Sequence, residues 1–278
     1  MKNIATIFLF ILVIPAIAQK RHSSSHDSRF YVNVSAGYGM RACTEYLAYS
    51  WTYGDTSGTE SAIRSSLGAG TSASLTGGCL LNDNFGLEGG ISYLYGNAVT
   101  SKTISTSPSN SYHYTQTMTA SSLNALLGAR ITFGESKWRP YMRMAFLAGF
   151  ATKMIDTNIG VDEVGLPSDA RQRYTGGISP GFAGGAGITF HLSDAVSLFS
   201  EISLVYHNWA PTKSEYTKDI EKGTDYFSTM TIRESHAVYL NSISANYTTG
   251  SPNEPSKYFK TSYPMSSAGI NIGAQFHF

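Results

Sequence analysis

The chain has 278 residues and a formal net charge of +1 at pH 7, and charged residues make up 14% of it, whereas ordinary soluble domains contain about 25%. Basic and acidic side chains nearly balance and no basic run is longer than Lys20-Arg21, so the sequence lacks the positive surface that nucleic-acid binding requires. The low charge, together with abundant Gly, Ser, Thr and Tyr, is typical of neither a soluble enzyme nor a disordered tail.

The N-terminus has the pattern of a secretory signal peptide. Lys2 precedes an apolar run over residues 4–17, and the small-residue pattern Ala16-Ile17-Ala18 predicts cleavage before Gln19. This run of 14 residues contains a proline and is too short for a comfortable membrane-spanning helix. The predicted divisions are therefore a signal peptide over 1–18, a periplasmic segment over 19–29 and a single domain over 30–278.

Beyond residue 29 apolar side chains alternate with polar or small ones, and no window shows helical spacing over three or more turns. Alternation with a period of two predicts strands, and a tilted membrane-spanning strand needs about 9 to 11 residues. In chain order the predicted strands are 30–38, 67–81, 85–95, 123–133, 142–150, 178–192, 196–206 and 268–278.

The connections between these strands distinguish a barrel from a soluble sandwich, which also alternates. Short links at 82–84, 134–137 and 193–195 alternate with long ones at 40–66, 97–120, 151–177 and 207–265. Short turns on one side and long loops on the other are typical of outer-membrane barrels. We predict an all-β, eight-stranded antiparallel up-and-down transmembrane barrel in the bacterial outer membrane, with short periplasmic turns and long extracellular loops. The last long connection leaves two alternatives, namely strands that extend the barrel above the membrane or a ninth and tenth strand.

The polarity of the two strand faces supports the same prediction. One face is apolar and the other carries Gly, Ser, Asn, Thr, Glu and Arg, which suits a sheet that is closed and immersed in lipid. Aromatic residues also fall at both strand ends, where interfacial belts form. The predicted belt near the short turns is Phe85, Phe133, Trp138, Phe190, Phe276 and Phe278, and the opposite belt is Tyr38, Tyr93, Tyr95, Phe150, Tyr206 and Trp209.

The last strand ends in Gly-Ile-Asn-Ile-Gly-Ala-Gln-Phe-His-Phe. Its apolar positions Ile270, Ile272, Phe276 and Phe278 resemble the C-terminal assembly signal of bacterial outer-membrane proteins, which the barrel-insertion machinery reads. Together with the Gly-rich hairpins, the chain resembles the small OmpA/OmpX-like outer-membrane barrels, in particular the stand-alone outer-membrane β-barrel domain common in Bacteroidota. The resemblance implies a fold and an outer-membrane location but little about activity. The additional peptidoglycan-binding domain of some members is not expected here.

Four charged residues are predicted to point into the barrel at about one height: Glu88, Arg130, Arg143 and Glu201. Charges in a narrow lumen should pair, because an unpaired buried charge costs several kcal/mol. The first interpretation is a salt-bridge network that plugs the lumen. The alternative is a gated pore or a proton path.

No catalytic, cofactor or metal site is predicted. A barrel deacylase would need a Ser two residues after a His at the upper strand end, but His207 is followed at that spacing by Trp209. The other histidines lack metal-ligand spacing. Cys43 and Cys79 fall at opposite ends of neighbouring strands and are expected to be free.

The sequence therefore favours a structural or surface-display barrel that is not an enzyme. The connection 207–265 is rich in tyrosine among small polar residues, a composition suited to adaptable recognition. Its tyrosines are Tyr216, Tyr226, Tyr239, Tyr247, Tyr258 and Tyr263. The alternatives are a small passive, porin-like pore and an enzyme acting on envelope lipid or peptide. The expected partners are outer-membrane lipid, the barrel-assembly machinery and an extracellular ligand of the loops, and the protein is expected to be a monomer that binds no nucleic acid.

Overall fold

A computed structural model describes residues 29–54, 57–107, 110–134, 136–162, 164–243 and 251–278. The predicted signal peptide and almost all of the segment 19–29 lie outside the described residues. Within them the chain forms strands, one 3-10 turn (Phe227–Thr229) and one short helix, α1 (Ile232–Ser235). Among these residues no helix is both long and apolar enough to cross a membrane.

The strands are β1 (Phe30–Arg41), β2 (Glu45–Tyr53), β3 (Gly58–Ser65), β4 (Gly70–Leu80), β5 (Phe85–Gly96), β6 (Val99–Ser107), β7 (Asn110–Thr132), β8 (Trp138–Gly149), β9 (Lys153–Val161), β10 (Pro167–Thr175), β11 (Ser179–His191), β12 (Val196–Trp209), β13 (Lys213–Glu221), β14 (Thr224–Asp225), β15 (His236–Leu240), β16 (Ser256–Phe259), β17 (Tyr263–Pro264) and β18 (Ser267–His277).

Eight strands of the described chain close into an antiparallel barrel, as predicted. Around the barrel, β1, β4, β5, β7, β8, β11, β12 and β18 each pair with the next, and β18 pairs back onto β1. Closure leaves no free sheet edge, so backbone donors and acceptors of the wall are paired within the protein. The alternative of ten strands in the barrel wall is wrong, because β13 to β16 pair outside it.

The outside of the barrel is apolar and the inside is polar. Large apolar side chains such as Leu127, Met144 and Ile202 are 69%, 69% and 72% exposed on the outer surface. The inward positions of the same strands include the buried polar residues Asn33 and Thr76. Because a soluble barrel has the opposite polarity, this wall belongs in the hydrocarbon of a membrane.

The long connections are mostly strands rather than irregular loops. They form a sheet in the order β3, β2, β6, β7, β9, β10, β13, β15 and β16, which includes the first part of β7 over residues 110–120. We call this sheet the extension. It stands at the end of the barrel opposite the short turns, which we call the loop end, and β7 runs unbroken for 23 residues from the extension into the barrel. The alternative in which these strands extend the barrel is therefore the one observed.

A cluster of buried apolar residues lies at the junction of barrel and extension, and we call it the apolar cap. Its members are Ala48, Leu67, Leu94, Val99, Met118, Ala120, Met154, Trp209 and Met265. They come from the loop ends of the barrel strands, from the bases of the extension strands and, for Leu67 and Met265, from the connections just before β4 and β18. The cap is the main apolar core of the described residues, since the barrel itself turns its apolar face outward.

Two predicted positions are corrected by the cap. Leu67 was expected on the outer face of the second barrel strand, but that strand begins at Gly70 and Leu67 is fully buried. Trp209 was expected in the outer aromatic belt, but it is also fully buried, and its indole Nε1 donates to the Gly176 carbonyl at 2.8 Å. The reason is register, because Trp209 shares the inward face of β12 with Glu201 and His207.

Candidate functional site: the closed lumen

The four predicted lumenal charges come together on the inward faces of four barrel strands. Glu88 lies on β5, Arg130 on β7, Arg143 on β8 and Glu201 on β12. Arg130 and Arg143 are direct partners in the pairing of β7 with β8. Glu88, Arg130 and Glu201 are 7%, 4% and 1% exposed. The charges are therefore held in the interior by the strand register that the sequence predicts.

Ion pairs connect these charges into a chain, which we call the charge network. Arg130 Nη1 lies 3.7 Å from Glu88 Oε1, and Arg143 Nη1 lies 3.8 Å from Glu88 Oε2. Arg143 also contacts Glu201 through two atoms, with Nε 2.5 Å from Oε2 and Nη2 donating to Oε1 at 2.8 Å. Since two guanidinium groups face two carboxylates, the network is formally neutral. The contact between Arg143 and Glu201 is the closest and has the bidentate geometry that makes such pairs strong.

Neutral side chains surround the charge network and hydrogen-bond with most of its remaining groups, whereas the buried Arg130 Nε has no hydrogen-bond partner among the described residues. The Tyr31 hydroxyl donates to Glu88 Oε1 at 2.8 Å, and the Tyr141 hydroxyl donates to Glu201 Oε2 at 3.1 Å. Further donors and acceptors are Asn271 Nδ2, which donates to Glu201 Oε1 at 3.2 Å, and Thr189 Oγ1 and Gln275 Oε1, which accept from Arg130 at 2.7 and 3.2 Å. Buried charges that are paired and hydrogen-bonded in this way avoid most of their desolvation cost.

Aromatic rings complete the surroundings of Arg130. Its guanidinium carbon lies 3.9 Å from the ring centroid of Tyr141 and 5.6 Å from that of Tyr31. A desolvated cation over an aromatic ring gains about 2 kcal/mol. Sequence reasoning assigned the charges but not these tyrosines. Their inward-facing positions, close to the predicted lumenal arginines, are the sequence feature that could have identified them.

A small chamber lies above the charge network, on the loop-end side. Its volume is about 90 Å³, and its walls include Glu88 and Arg143 as well as Ser74, Asn124 and Leu94. Leu94 belongs to the apolar cap. Side chains therefore occupy the lumen at two levels, with the charge network nearer the short turns and the apolar cap at the loop end.

A second polar cluster lies on the turn-end side of the network. Ser197 Oγ is 2.8 Å from His191 Nδ1 and 3.3 Å from His277 Nε2. The two imidazole rings are 5.8 Å apart between centroids. Because Ser197 is fully buried, this cluster narrows the lumen further at the end where the short turns lie.

His207, the one histidine weighed for catalysis, lies in the interior. Its Nδ1 is 2.5 Å from Ser179 Oγ on the neighbouring strand β11, and the two residues are 1% and 0% exposed. Among the described residues no hydrogen-bond partner reaches His207 Nε2. The imidazole therefore has a serine neighbour that the sequence spacing did not show, but no orienting carboxylate bonded to its second nitrogen.

Other predicted positions are found as follows. Cys43 and Cys79 are both free, as expected. Within the described residues no group of three or more His, Cys, Asp or Glu could hold a metal ion. The C-terminal positions all lie on the outer face of β18 or directly after it, with Ile270, Ile272 and Phe278 exposed and Phe276 half-buried. Their role in assembly stays a prediction.

Comparisons with known proteins give a likeness in structure but none in sequence. No protein-family model matches the chain, and no curated protein matches it. The chain is similar to the crystal structure of Neisserial surface protein A (NspA) at 12% sequence identity and a TM-score of 0.34, over 91% of this chain and 100% of that chain. The barrel fold therefore rests on the strand pairing of the chain itself.

Proposed function

We propose that this protein is a structural and surface-display barrel of the bacterial outer membrane, with a closed lumen and an outward-facing extension. The observation that carries the proposal is the contrast between the two halves. The charge network and the apolar cap occupy the barrel interior at two levels, whereas the extension continues the barrel wall as a hydrogen-bonded sheet. A scaffold that presents a rigid surface and conducts nothing fits both features.

An outer-membrane location is the proposed setting because membrane barrels of this kind are exported and assembled there. The signal-peptide pattern over 1–18 supports export, and the apolar C-terminal strand supports recognition by the barrel-assembly machinery. The likeness to OmpA/OmpX-like barrels is part of the same proposal. In this setting the short turns face the periplasm, the extension faces the medium, and lipid covers the apolar wall of a monomer.

The proposal is non-enzymatic. A lipid-modifying barrel needs its nucleophile where an acyl chain can reach it, but Ser179 and His207 are buried in the barrel interior. A porin-like pore would need a continuous water path, and two closures stand across it. Conductance of the purified protein separates the pore from the display role.

Cysteine labelling of intact cells tests the orientation. In a background with Cys43→Ser and Cys79→Ser, a single cysteine is introduced at exposed Thr224 in the extension or at exposed Asp83 in a short turn. We expect a membrane-impermeant maleimide to label Thr224→Cys on intact cells. Asp83→Cys, the matched control, should be labelled only after the outer membrane is permeabilised. The opposite pattern, or recovery of the protein with soluble periplasmic contents, contradicts the proposal.

A further inference from the structure

The extension contains a cavity of about 410 Å³ that is separate from the lumen. It lies between β10, β13, α1, β15 and β16, and its walls are rich in tyrosine: Tyr174, Tyr216, Tyr239 and Tyr258. Ligand sites in proteins commonly have about this volume or more, with aromatic walls and a few polar groups. This cavity is on the outward side in the proposed orientation, apart from the membrane wall.

Three of the tyrosines form a continuous wall. The ring centroids of Tyr174 and Tyr239 are 6.0 Å apart at an interplanar angle of 34°, and those of Tyr239 and Tyr258 are also 6.0 Å apart at 31°. At these separations and angles Tyr239 packs against both Tyr174 and Tyr258, and all three residues line the cavity. Such a wall is suited to a ligand that has flat or gently puckered apolar faces.

The tyrosine hydroxyl groups differ in whether they form hydrogen bonds within the protein. The Tyr174 hydroxyl donates to Gln172 Oε1 at 2.7 Å, and the Tyr239 hydroxyl is 3.0 Å from Ser214 Oγ. No hydrogen bond from another described residue reaches the hydroxyls of Tyr216 and Tyr258, although both line the cavity. Two hydrogen-bonded tyrosines, and two whose hydroxyls have no partner among the described residues, therefore line the same space, so a purely apolar ligand would leave donors and acceptors unused.

The charges at the cavity argue against an ionic ligand. Arg233 and Glu234 are adjacent and of opposite sign. The Glu234 carboxylate already accepts from the Thr231 backbone N–H at 2.8 Å and from the Thr231 hydroxyl at 2.9 Å, as part of the capping box of α1. The two adjacent charges cancel formally, so neither a cation nor an anion would meet an excess of opposite charge from this pair. A neutral ligand fits this balance best.

From these features we propose that the cavity binds a neutral saccharide. Sugar rings combine apolar C–H faces, which stack on tyrosine rings, with hydroxyl groups, which pair with phenol, amide and serine groups. Gln172, Ser235, Ser256 and Thr261 are also in the lining, and the first three already make hydrogen bonds within the protein. The Tyr216 and Tyr258 hydroxyls are therefore the groups we expect a sugar to contact first. The inference rests on the proposed display function only for the access of the saccharide from outside the cell.

Binding is tested on the purified full chain in an amine oxide detergent, because maltoside detergents carry the proposed ligand class. Saturation-transfer NMR with glucose, galactose, mannose, N-acetylglucosamine and lactose is expected to show transfer to ring protons. Tyr216→Phe and Tyr258→Phe, which remove only a hydroxyl, should each weaken binding about five-fold, the loss of one hydrogen bond. Tyr49→Phe, on the exposed surface of β2 outside the cavity, is the matched control and should bind as the wild type does.

Three results overturn the inference. The first is transfer to glucuronate or choline but to none of the neutral sugars. The second is equal affinity in the Tyr216, Tyr258 and Tyr49 variants, and the third is no transfer to any sugar. Titration with free sugars and with purified glycan chains of the cell surface separates the two sources of the ligand. If Thr224→Cys is labelled from outside but no sugar binds, only the saccharide inference is wrong. The proposed function is contradicted by the opposite labelling pattern, whatever the sugar result.

Discussion

Arg143 and Glu201 form a bidentate ion pair although the strand β11 lies between the strands that carry them. The pair is made over Gly185 of β11, which is the register partner of Arg143. A Cβ placed on Gly185 would lie 2.4 Å from Glu201 Cδ. The carboxylate therefore passes over a position where the wall has no side chain, and the charge network depends on this glycine as much as on its four charges.

Removing the Glu201 carboxylate should strongly destabilise the barrel. Glu201→Gln leaves two guanidinium groups facing one carboxylate in the interior, and breaking a buried pair in this way costs about 3–5 kcal/mol. The free energy of unfolding in lipid vesicles, measured by urea titration, gives the effect. The double variant Arg143→Met with Glu201→Gln should lose less than the sum of the single losses, because its members are in contact. Strict additivity would show that the two groups do not interact.

Gly185→Ala should destabilise the barrel through the same contact. The added methyl group requires Glu201 or the backbone to move, and overpacking of this kind typically costs about 1–3 kcal/mol. Gly184→Ala is the matched control, because its nearest neighbour is the Arg143 carbonyl oxygen at 3.6 Å, an ordinary contact. Both unfolding midpoints are measured under the same conditions. Equal midpoints for the two variants would contradict the role given to Gly185.

Planar-bilayer recordings of the purified protein should show no large, stable channels. Glu88→Ala and Arg130→Ala remove the network contacts near the short turns, but the apolar cap still closes the loop end, so neither variant should conduct stably. The comparison therefore tests whether two closures act in series. Stable wild-type channels of large conductance would favour the porin-like alternative. If channels open in Glu88→Ala or Arg130→Ala but not in the wild type, the charge network alone closes the lumen and the apolar cap does not.

The barrel could be predicted because every second residue of a membrane-spanning strand faces lipid and is therefore apolar. Alternation located all eight wall strands, and it also placed Glu88 and Glu201 on inward faces, where the structure has them. The same alternation predicts Trp209 inward, since it lies eight residues after Glu201 on β12. Its assignment to a belt followed the usual location of tryptophan instead, and the pairing of the strand shows that register was the better guide.

Alternation could not predict the pairing within the extension. Parts of its strands are exposed on both faces, and strands that are neighbours in the sheet are not consecutive in the chain. The parallel pairing of β2 with β6 joins residues from two different connections. The tyrosine cavity likewise combines Tyr216, Tyr239 and Tyr258, whose connection was noted for its tyrosines, with Tyr174 from another one. Tyr226 lies elsewhere, and Tyr247 is outside the described residues. Composition indicated a recognition surface, but only the pairing of distant strands shows which rings meet.

Asp156 should make the stability of the extension depend on pH. It lies on β9 in the extension, where burial raises the pKa of its carboxyl group above the usual range, while a hydrogen bond from Gln116 Nε2 at 2.7 Å opposes the shift. Its other oxygen, Oδ1, is buried without a hydrogen-bond partner among the described residues. An acid with a raised pKa in the folded state holds its proton more tightly there than in the unfolded chain. Its contribution is therefore full below the unfolded pKa and is lost as pH rises through the folded pKa.

Asp156→Asn should accordingly stabilise the extension at neutral pH and change little at acidic pH. The amide oxygen can still accept from Gln116, and the substitution removes a charge that burial disfavours. Hydrogen exchange of β9 and β10, followed by mass spectrometry across the pH range, measures the local effect. Glu60→Gln on exposed β3 is the control and should leave the profile unchanged. Faster exchange of β9 in Asp156→Asn at neutral pH would mean that the carboxylate is stabilising, so the sign argued from burial would be reversed.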